Sequence, residues 1–221
     1  MSSDPAQTGN GPKDADREVD ADASGNRRTI VSYEGCASDY ARSTEPAPGS
    51  DRGTLARFLE VLPAGRRVLE IGSGPGWDAD WLETQGARVR RTDAAAAFVA
   101  IQKARGAAAE PLDVVTDDLG GPYAGVIALY VFQHVDRPRL PDVLAKISQA
   151  IIDGGAFLFA LREGRSDLIE HGSSNSYYVA EWAKPDLDEI LCGLGFREAW
   201  SMSSEDADGR WLTILTRKEG E

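Results

Sequence analysis

The stretch Val68-Leu69-Glu70-Ile71-Gly72-Ser73-Gly74-Pro75-Gly76-Trp77-Asp78 decides how this chain folds. An apolar strand ends in an acid, passes through a glycine-rich turn and opens into the helical pattern Trp77 to Leu82. Only glycine lets a backbone turn that sharply at positive φ and lets a ligand approach to contact distance. The turn also leaves N–H groups free at a helix N-terminus, where a carboxylate or phosphate is stabilised. A dinucleotide-binding loop reads G-x-G-x-x-G, its third glycine allowing close helix–strand packing. Here the glycines stand at 72, 74 and 76, and position 77 is a tryptophan, so the run departs from that fingerprint.

The neighbouring segments carry the reading further. Ala87 to Asp93 is a second short strand ending in an acid. Asp93 follows Gly72 at the spacing where an acidic side chain accepts both hydroxyls of a ribose. Leu112-Asp113-Val114-Val115 places another acid near the end of an expected third strand. Val126 to Phe132 is an apolar run of the buried-strand type that leads into Gln133-His134-Val135. A helix pattern over Leu140 to Ile151, a stop at Asp153-Gly154-Gly155 and a strand over Ala156 to Leu161 complete this part.

Glu70 to Gly76 resembles the first motif of class I S-adenosylmethionine (SAM) methyltransferases, E/D-x-G-x-G-x-G, and the stretch through Leu161 resembles the middle of that family. The likeness runs from about Tyr33 to Thr216. It implies an α/β, Rossmann-like, doubly wound sheet of seven strands, mostly parallel, with an antiparallel last strand. It implies SAM as cofactor and an O, N or C nucleophile of a small molecule as methyl acceptor. Under the resemblance, Gly72, Gly74 and Gly76 bring the backbone to the ribose–methionine junction, and Glu70 meets the cofactor ammonium directly or through water. Asp93, followed by Ala94, holds the ribose diol by charge-assisted hydrogen bonds. Asp113 and the N–H of Val114 read the adenine edge, with Asp117 and Asp118 close enough to compete for that role. Tyr130 offers its backbone to the methionine tail. Tyr40, and after it Tyr33, match a tyrosine that an N-terminal cap places beside the cofactor. One departure stands out: Asp93 precedes Ala94-Ala95-Ala96-Ala97, so the next helix has no polar residue to cap its start.

Methyl transfer from a sulfonium is an in-line displacement, and positioning supplies much of its rate, with effective molarities of about 10⁵–10⁸ M. A general base adds about 10²–10⁴ when the nucleophile must lose a proton. Of the two histidines, His134 follows the fourth strand at the carboxyl edge of the sheet, where ligands bind in open α/β folds. It is the candidate catalytic residue; the alternative is a histidine bonded to a loop backbone. His171, Tyr177 and Tyr178 lie in Glu163 to Trp182, an expected substrate lid, and Arg162 ends the fifth strand, suited to an anionic group or an ion pair.

A chain of 221 residues suits one α/β domain. Residues 1–28 are rich in Asp, Ser, Gly and Asn and are expected to be a disordered tail, which leaves 29–221 as the domain. Thr29 to Arg42 reads as a helical cap, separated by Pro46 and Pro48 from a helix over Thr54 to Leu62. Further helices are expected at Trp77 to Gln85, Ala94 to Arg105 and Pro185 to Leu194. Phe196 to Ser203 and Trp211 to Thr216 then form a closing hairpin. The net charge of −12 disfavours a polyanionic partner. Cys36 and Cys192 have neither metal-site nor disulfide-framework spacing, so no metal is expected. The apolar runs are too short for a membrane span or a signal peptide, which points to the cytoplasm. Amino-methylating DNA enzymes carry an Asn/Asp-Pro-Pro-Tyr-type motif where this chain reads Tyr130-Val131-Phe132-Gln133, and neither cysteine follows a proline. A tRNA or protein substrate and a non-catalytic SAM-binding regulator remain as alternatives.

Overall fold

The computed structural model describes residues 24–47, 52–172 and 175–220. Helix α1 (Gly25–Ser43) opens the domain, capped by the Ser24 hydroxyl, which accepts from Arg27 N at 3.3 Å. The boundary expected at position 28 therefore falls inside this helix. Residues 24–28 belong to the folded part, and 1–23, like Pro48, lie outside the described residues. Helix α2 (Gly53–Val61) follows.

Strand and helix then alternate through β1 (Arg67–Ile71), α3 (Trp77–Thr84), β2 (Arg88–Asp93), α4 (Ala96–Ala104), β3 (Ala109–Pro111), β4 (Tyr123–Leu129), α5 (Leu140–Ala150) and β5 (Ile151–Arg162). A two-stranded hairpin, β6 (Asp167–His171) and β7 (Ser176–Ala180), comes next, and α6 (Lys184–Gly193), β8 (Phe196–Asp206) and β9 (Gly209–Lys218) close the chain. The main sheet has seven strands in the order β3-β2-β1-β4-β5-β9-β8. The strands from β3 to β5 are mutually parallel, whereas β9 runs antiparallel to both neighbours, with Trp211 opposite Arg162.

Alternate residues of the central strands face opposite layers. Leu69, Val126 and Phe157 pack with Leu140, Leu144 and Ile147 of α5 and Leu187 of α6. Val68, Ile127 and Leu158 turn the other way, onto Leu55, Phe58 and Leu59 of α2 and Leu82 of α3. Each such side chain contributes about 1.5–3 kcal/mol relative to exposure, so burial on both faces explains why β4 and β5 read as unbroken apolar runs.

Two strands end elsewhere than the sequence suggests. The third stops at Pro111; Leu112 and Asp113 leave the sheet and Val114 to Thr116 form a turn rather than a strand end. There the Asp113 carboxylate accepts from Val115 N at 2.9 Å and that of Asp117 accepts from Asp113 N at 2.9 Å, bonds that displace a ladder. The fourth stops at Leu129 because Tyr130 takes φ +61, and Phe132–His134 coil into a 3₁₀ turn. Among the described residues no helix is long and apolar enough to cross a membrane.

Candidate functional site

The sheet changes its winding direction between β1 and β4, since β1 continues outward to β2 while β4 leads to β5. Ligands of open α/β sheets bind outside the carboxyl ends of the strands at such a switch point. A pocket lies there. Its wall includes Gly72 and Gly74 after β1, Asp93 and Ala94 after β2, Asp113 and Val114 after β3, and Tyr130 and His134 after β4. Helix α1 roofs it with Asn26, Thr29, Ile30, Tyr33 and Tyr40.

The glycine turn is held from outside. Ser73 N donates to Thr92 O at 2.8 Å, and Gln102 of α4 donates to the Ser73 hydroxyl at 2.7 Å and to Gly74 O at 2.9 Å. Gly74 lines the pocket at φ +51, a backbone conformation that favours glycine. Gly76 serves differently. It is the left-handed residue before α3, and a Cβ there would meet Gln102 Oε1 at 2.5 Å, so it packs against α4 and does not line the pocket.

Asp93 is buried, and its carboxylate accepts from Gly74 N and Ala95 N, each at 2.8 Å. Burial outweighs those bonds and pushes its pKa up to about 6. Glu70 sits below the pocket wall rather than on it. It is buried, its Oε2 has no hydrogen-bond partner, and desolvation followed by the nearby Asp78 holds it well above the usual carboxylate range. Asp113 receives the Asn26 side-chain amide at 3.2 and 3.1 Å. Asp117 and Asp118 instead bond backbone N–H groups of their own turns and are absent from the pocket wall.

His134 donates Nδ1–H to the Tyr178 carbonyl at 2.7 Å, which leaves the lone pair on Nε2. Gln133 Nε2 lies 3.3 Å from that atom while donating to Tyr130 O at 2.7 Å. Burial drives the imidazole down to about 4, not the ordinary value near 6.5. The rings of Tyr33 and Tyr177 stand 5.9 and 6.1 Å from it. Arg162 does not line the pocket. It is buried, pairs with Glu170 at 3.0 Å and lies 4.9 Å from the Trp211 ring, which in turn packs on Tyr130. His171 is exposed at the end of β6, and the expected lid is the β6–β7 hairpin, tied to α1 through Ser32 and Thr29.

Sequence reasoning missed Asn26, Thr29, Ile30, Phe98, Leu112, Leu129 and Val131 on the wall. The first three share a helical face with Tyr33 and Tyr40; the boundary drawn at position 28 cut off Asn26, whereas Thr29 and Ile30 lay inside the expected cap and their periodicity with the two tyrosines could have found them. Among the described residues no group of three or more His, Cys, Asp or Glu is placed to hold a metal ion.

Residues 48–201 match the family described as a methyltransferase domain. Solved structures share the fold at low identity. DhpI in complex with SAH has a TM-score of 0.67 at 20% identity, over 89% of this chain and 98% of its own. A SAM-dependent methyltransferase from Methanosarcina mazei has 0.65 at 11% identity, over 74% and 97%. The 1,6-didemethyltoxoflavin-N1-methyltransferase of Burkholderia thailandensis, with bound 1,6-didemethyltoxoflavin and S-adenosylhomocysteine, has 0.58 at 20% identity, over 86% and 88%. No curated protein sequence matches.

Proposed function

The chain belongs to the methyltransferase-domain family, and from that premise we propose that it moves the methyl group of SAM to an O, N or C nucleophile of a small molecule. The observation that carries the reading is the convergence of a glycine turn, the strand-end acid Asp93, the turn acid Asp113 and an imidazole on one pocket at the switch point. The names of the DhpI and toxoflavin relatives, one bound to SAH and one to a small heterocycle with S-adenosylhomocysteine, support the cofactor and the substrate size.

The residues present fit that cofactor. Asp93 has a second lone pair on each oxygen for a ribose diol, beyond the two it gives to Gly74 N and Ala95 N. Leu112, Val114 and Phe98 supply an apolar slot for a purine, with Asp113 at its edge to accept from an exocyclic amine. Glu70 Oε2, buried and without a donor, suits an ammonium reached through water past Gly72. Tyr130, at positive φ, lies on the pocket wall with its N–H given to Ala160 O, so its carbonyl, which already accepts from Gln133, is the backbone group it can offer the methionine end.

Bound there, SAM supplies an electrophilic methyl on a sulfonium. The protein's part is then alignment and exclusion of water, the task of α1 and the β6–β7 hairpin. His134 works at the transfer end as a neutral imidazole whose Nδ1–H is fixed by Tyr178 O. A base held near 4 takes a proton weakly at neutral pH, so its contribution is chiefly to orient the nucleophile. A cytoplasmic location belongs to the same proposal and agrees with Cys36 and Cys192 being free thiols.

Calorimetric titration with S-adenosylhomocysteine tests the reading: one saturable site is expected, abolished when the pocket is altered. Absence of binding at millimolar ligand would overturn it.

A further inference from the structure

Helix α4 starts without a cap of its own, and the structure supplies one from elsewhere in the chain. Ala95 at its N-cap position offers no side-chain acceptor, and the next two residues are alanines. Glu34, from the middle of α1, fills the gap. Its Oε1 accepts from Ala96 N at 2.6 Å and its Oε2 from Ala97 N at 3.0 Å. A carboxylate at this place satisfies two of the four orphan donors and meets the positive end of the helix dipole.

The position of this contact matters more than its existence. Glu34 follows Tyr33 and lies one turn beyond Ile30, both on the roof of the pocket, while Ala94 and Ala95, just before the capped residues, lie on its wall. Beside the carboxylate runs an apolar seam, with Ala37 of α1 buried against Ala95 and Phe98 and the Tyr33 ring 5.5 Å from Phe98. The seam is non-directional, whereas the two charge-assisted bonds fix one register of α1 on α4. They form with α1 seated over the pocket.

We propose that Glu34 is a positioning residue for the cofactor: it latches α1 over the pocket by capping α4 in trans, so that roof closure and completion of the helix behind Asp93 are one event. An uncapped α4 frays at its first turn, and that turn carries the backbone that holds Asp93 through Ala95 N. A closed roof therefore stiffens the ribose acid, and a ligand on that acid favours the closed roof. The same carboxylate adds to the forces that raise the Asp93 pKa, in keeping with its closeness to the site.

The inference rests on the pocket being the cofactor site, and S-adenosylhomocysteine is the probe for both. Binding to the wild-type chain establishes the site; variants at Glu34 then test the latch. Glu34 is exposed, so Glu34→Ala keeps its fold, checked by circular dichroism. Glu34→Ala is expected to weaken S-adenosylhomocysteine binding about 5- to 30-fold, the scale of a lost helix cap, with most of the change in a faster dissociation rate. Amide exchange at Ala96 and Ala97 in the ligand-free protein should rise with it. Glu34→Gln, which keeps one neutral acceptor, should recover part of both. Faster exchange at Ala96 and Ala97 with wild-type affinity and dissociation rate would show a cap with no hold on the roof and overturn the proposal. Unchanged exchange would overturn it as well.

Discussion

Asp93 ties cofactor binding to pH. Its carboxylate is buried and raised to about 6, yet a ribose diol needs the ionised form as acceptor. If only the ionised fraction binds, the apparent dissociation constant grows as 1 + 10^(pKa−pH), which is about tenfold between about pH 8 and about pH 5. Asp93→Asn removes the titration and should bind weakly at every pH, by about 1.5–3 kcal/mol, the scale of hydrogen bonds to a charged group. The amide also turns an N–H₂ toward either Gly74 N or Ala95 N, so one backbone donor loses its acceptor. In the ligand-free protein the sign reverses. A carboxyl whose folded pKa lies above its unfolded value stabilises the fold at low pH, and that stability is lost as pH rises from about 3.9 to about 6, by about 3 kcal/mol. Titration calorimetry with S-adenosylhomocysteine across this range, with thermal melts of the free protein, reads both effects. A wild-type affinity flat from about pH 8 to about pH 5, or an equal fall in Asp93→Asn, refutes the assignment.

With an acceptor in hand, turnover at saturating SAM should show no limb near 6.5 from His134, because burial holds that imidazole near 4. His134→Ala should then cost less than the ~10² at the low end of general-base catalysis, and a limb near 6.5 that the variant abolishes would restore the base assignment. Gly72→Ala combines φ +66 with a Cβ only 2.5 Å from Val131 Cγ2. Backbone strain alone costs about 1–2 kcal/mol, and displacing Val131 from the wall should weaken S-adenosylhomocysteine binding further; an unchanged melting temperature and affinity would show that the turn relaxes freely. Deleting the chain through Arg28 should lower both stability and affinity. It removes the Ser24 cap, the bond from Gly25 N to Asp136 at 2.8 Å and the Asn26–Asp113 contact, so wild-type behaviour of the truncated chain would refute the docking of this first turn.

The mostly parallel sheet, its antiparallel last strand and a ligand site at the carboxyl edge of the strands followed from residues close together in sequence and from the family likeness they carry. Glycine spacing, acids at strand ends and apolar runs are local signals that survive folding unchanged. What could not be read depends on contacts across the chain. The four alanines after Asp93 look like a defect until Glu34, some sixty residues earlier, is seen to cap them. Glu70 reads as a pocket residue because it sits near a strand tip, yet it is buried beneath the glycine turn and does not line the pocket. The place of His134 after the fourth strand is local, but the burial that lowers its imidazole comes from packing against Tyr33 of α1 and Tyr177 of β7. The N-terminal boundary slipped because composition alone cannot distinguish a polar helix turn, Gly25 to Arg28, from tail.

The β6–β7 hairpin leaves the sheet and returns to it at one point. Glu163 and Trp182 form a bridge, Trp182 N donates to Arg162 O at 2.9 Å, and Gly164 N donates to Trp182 O at 3.2 Å. The excursion is thus a loop already closed at its neck, and its length is uncoupled from the register of β5 and β9. Doubling such a loop costs only about 0.6 kcal/mol in closure entropy. The two strands of the hairpin are not free to be exchanged, since Tyr178 holds His134 and Thr29 and Ser176 meets Ser32, so a change of length is accommodated between His171 and Ser176. A frame closed in this way can absorb a change in that stretch without a change in the order or register of its seven strands.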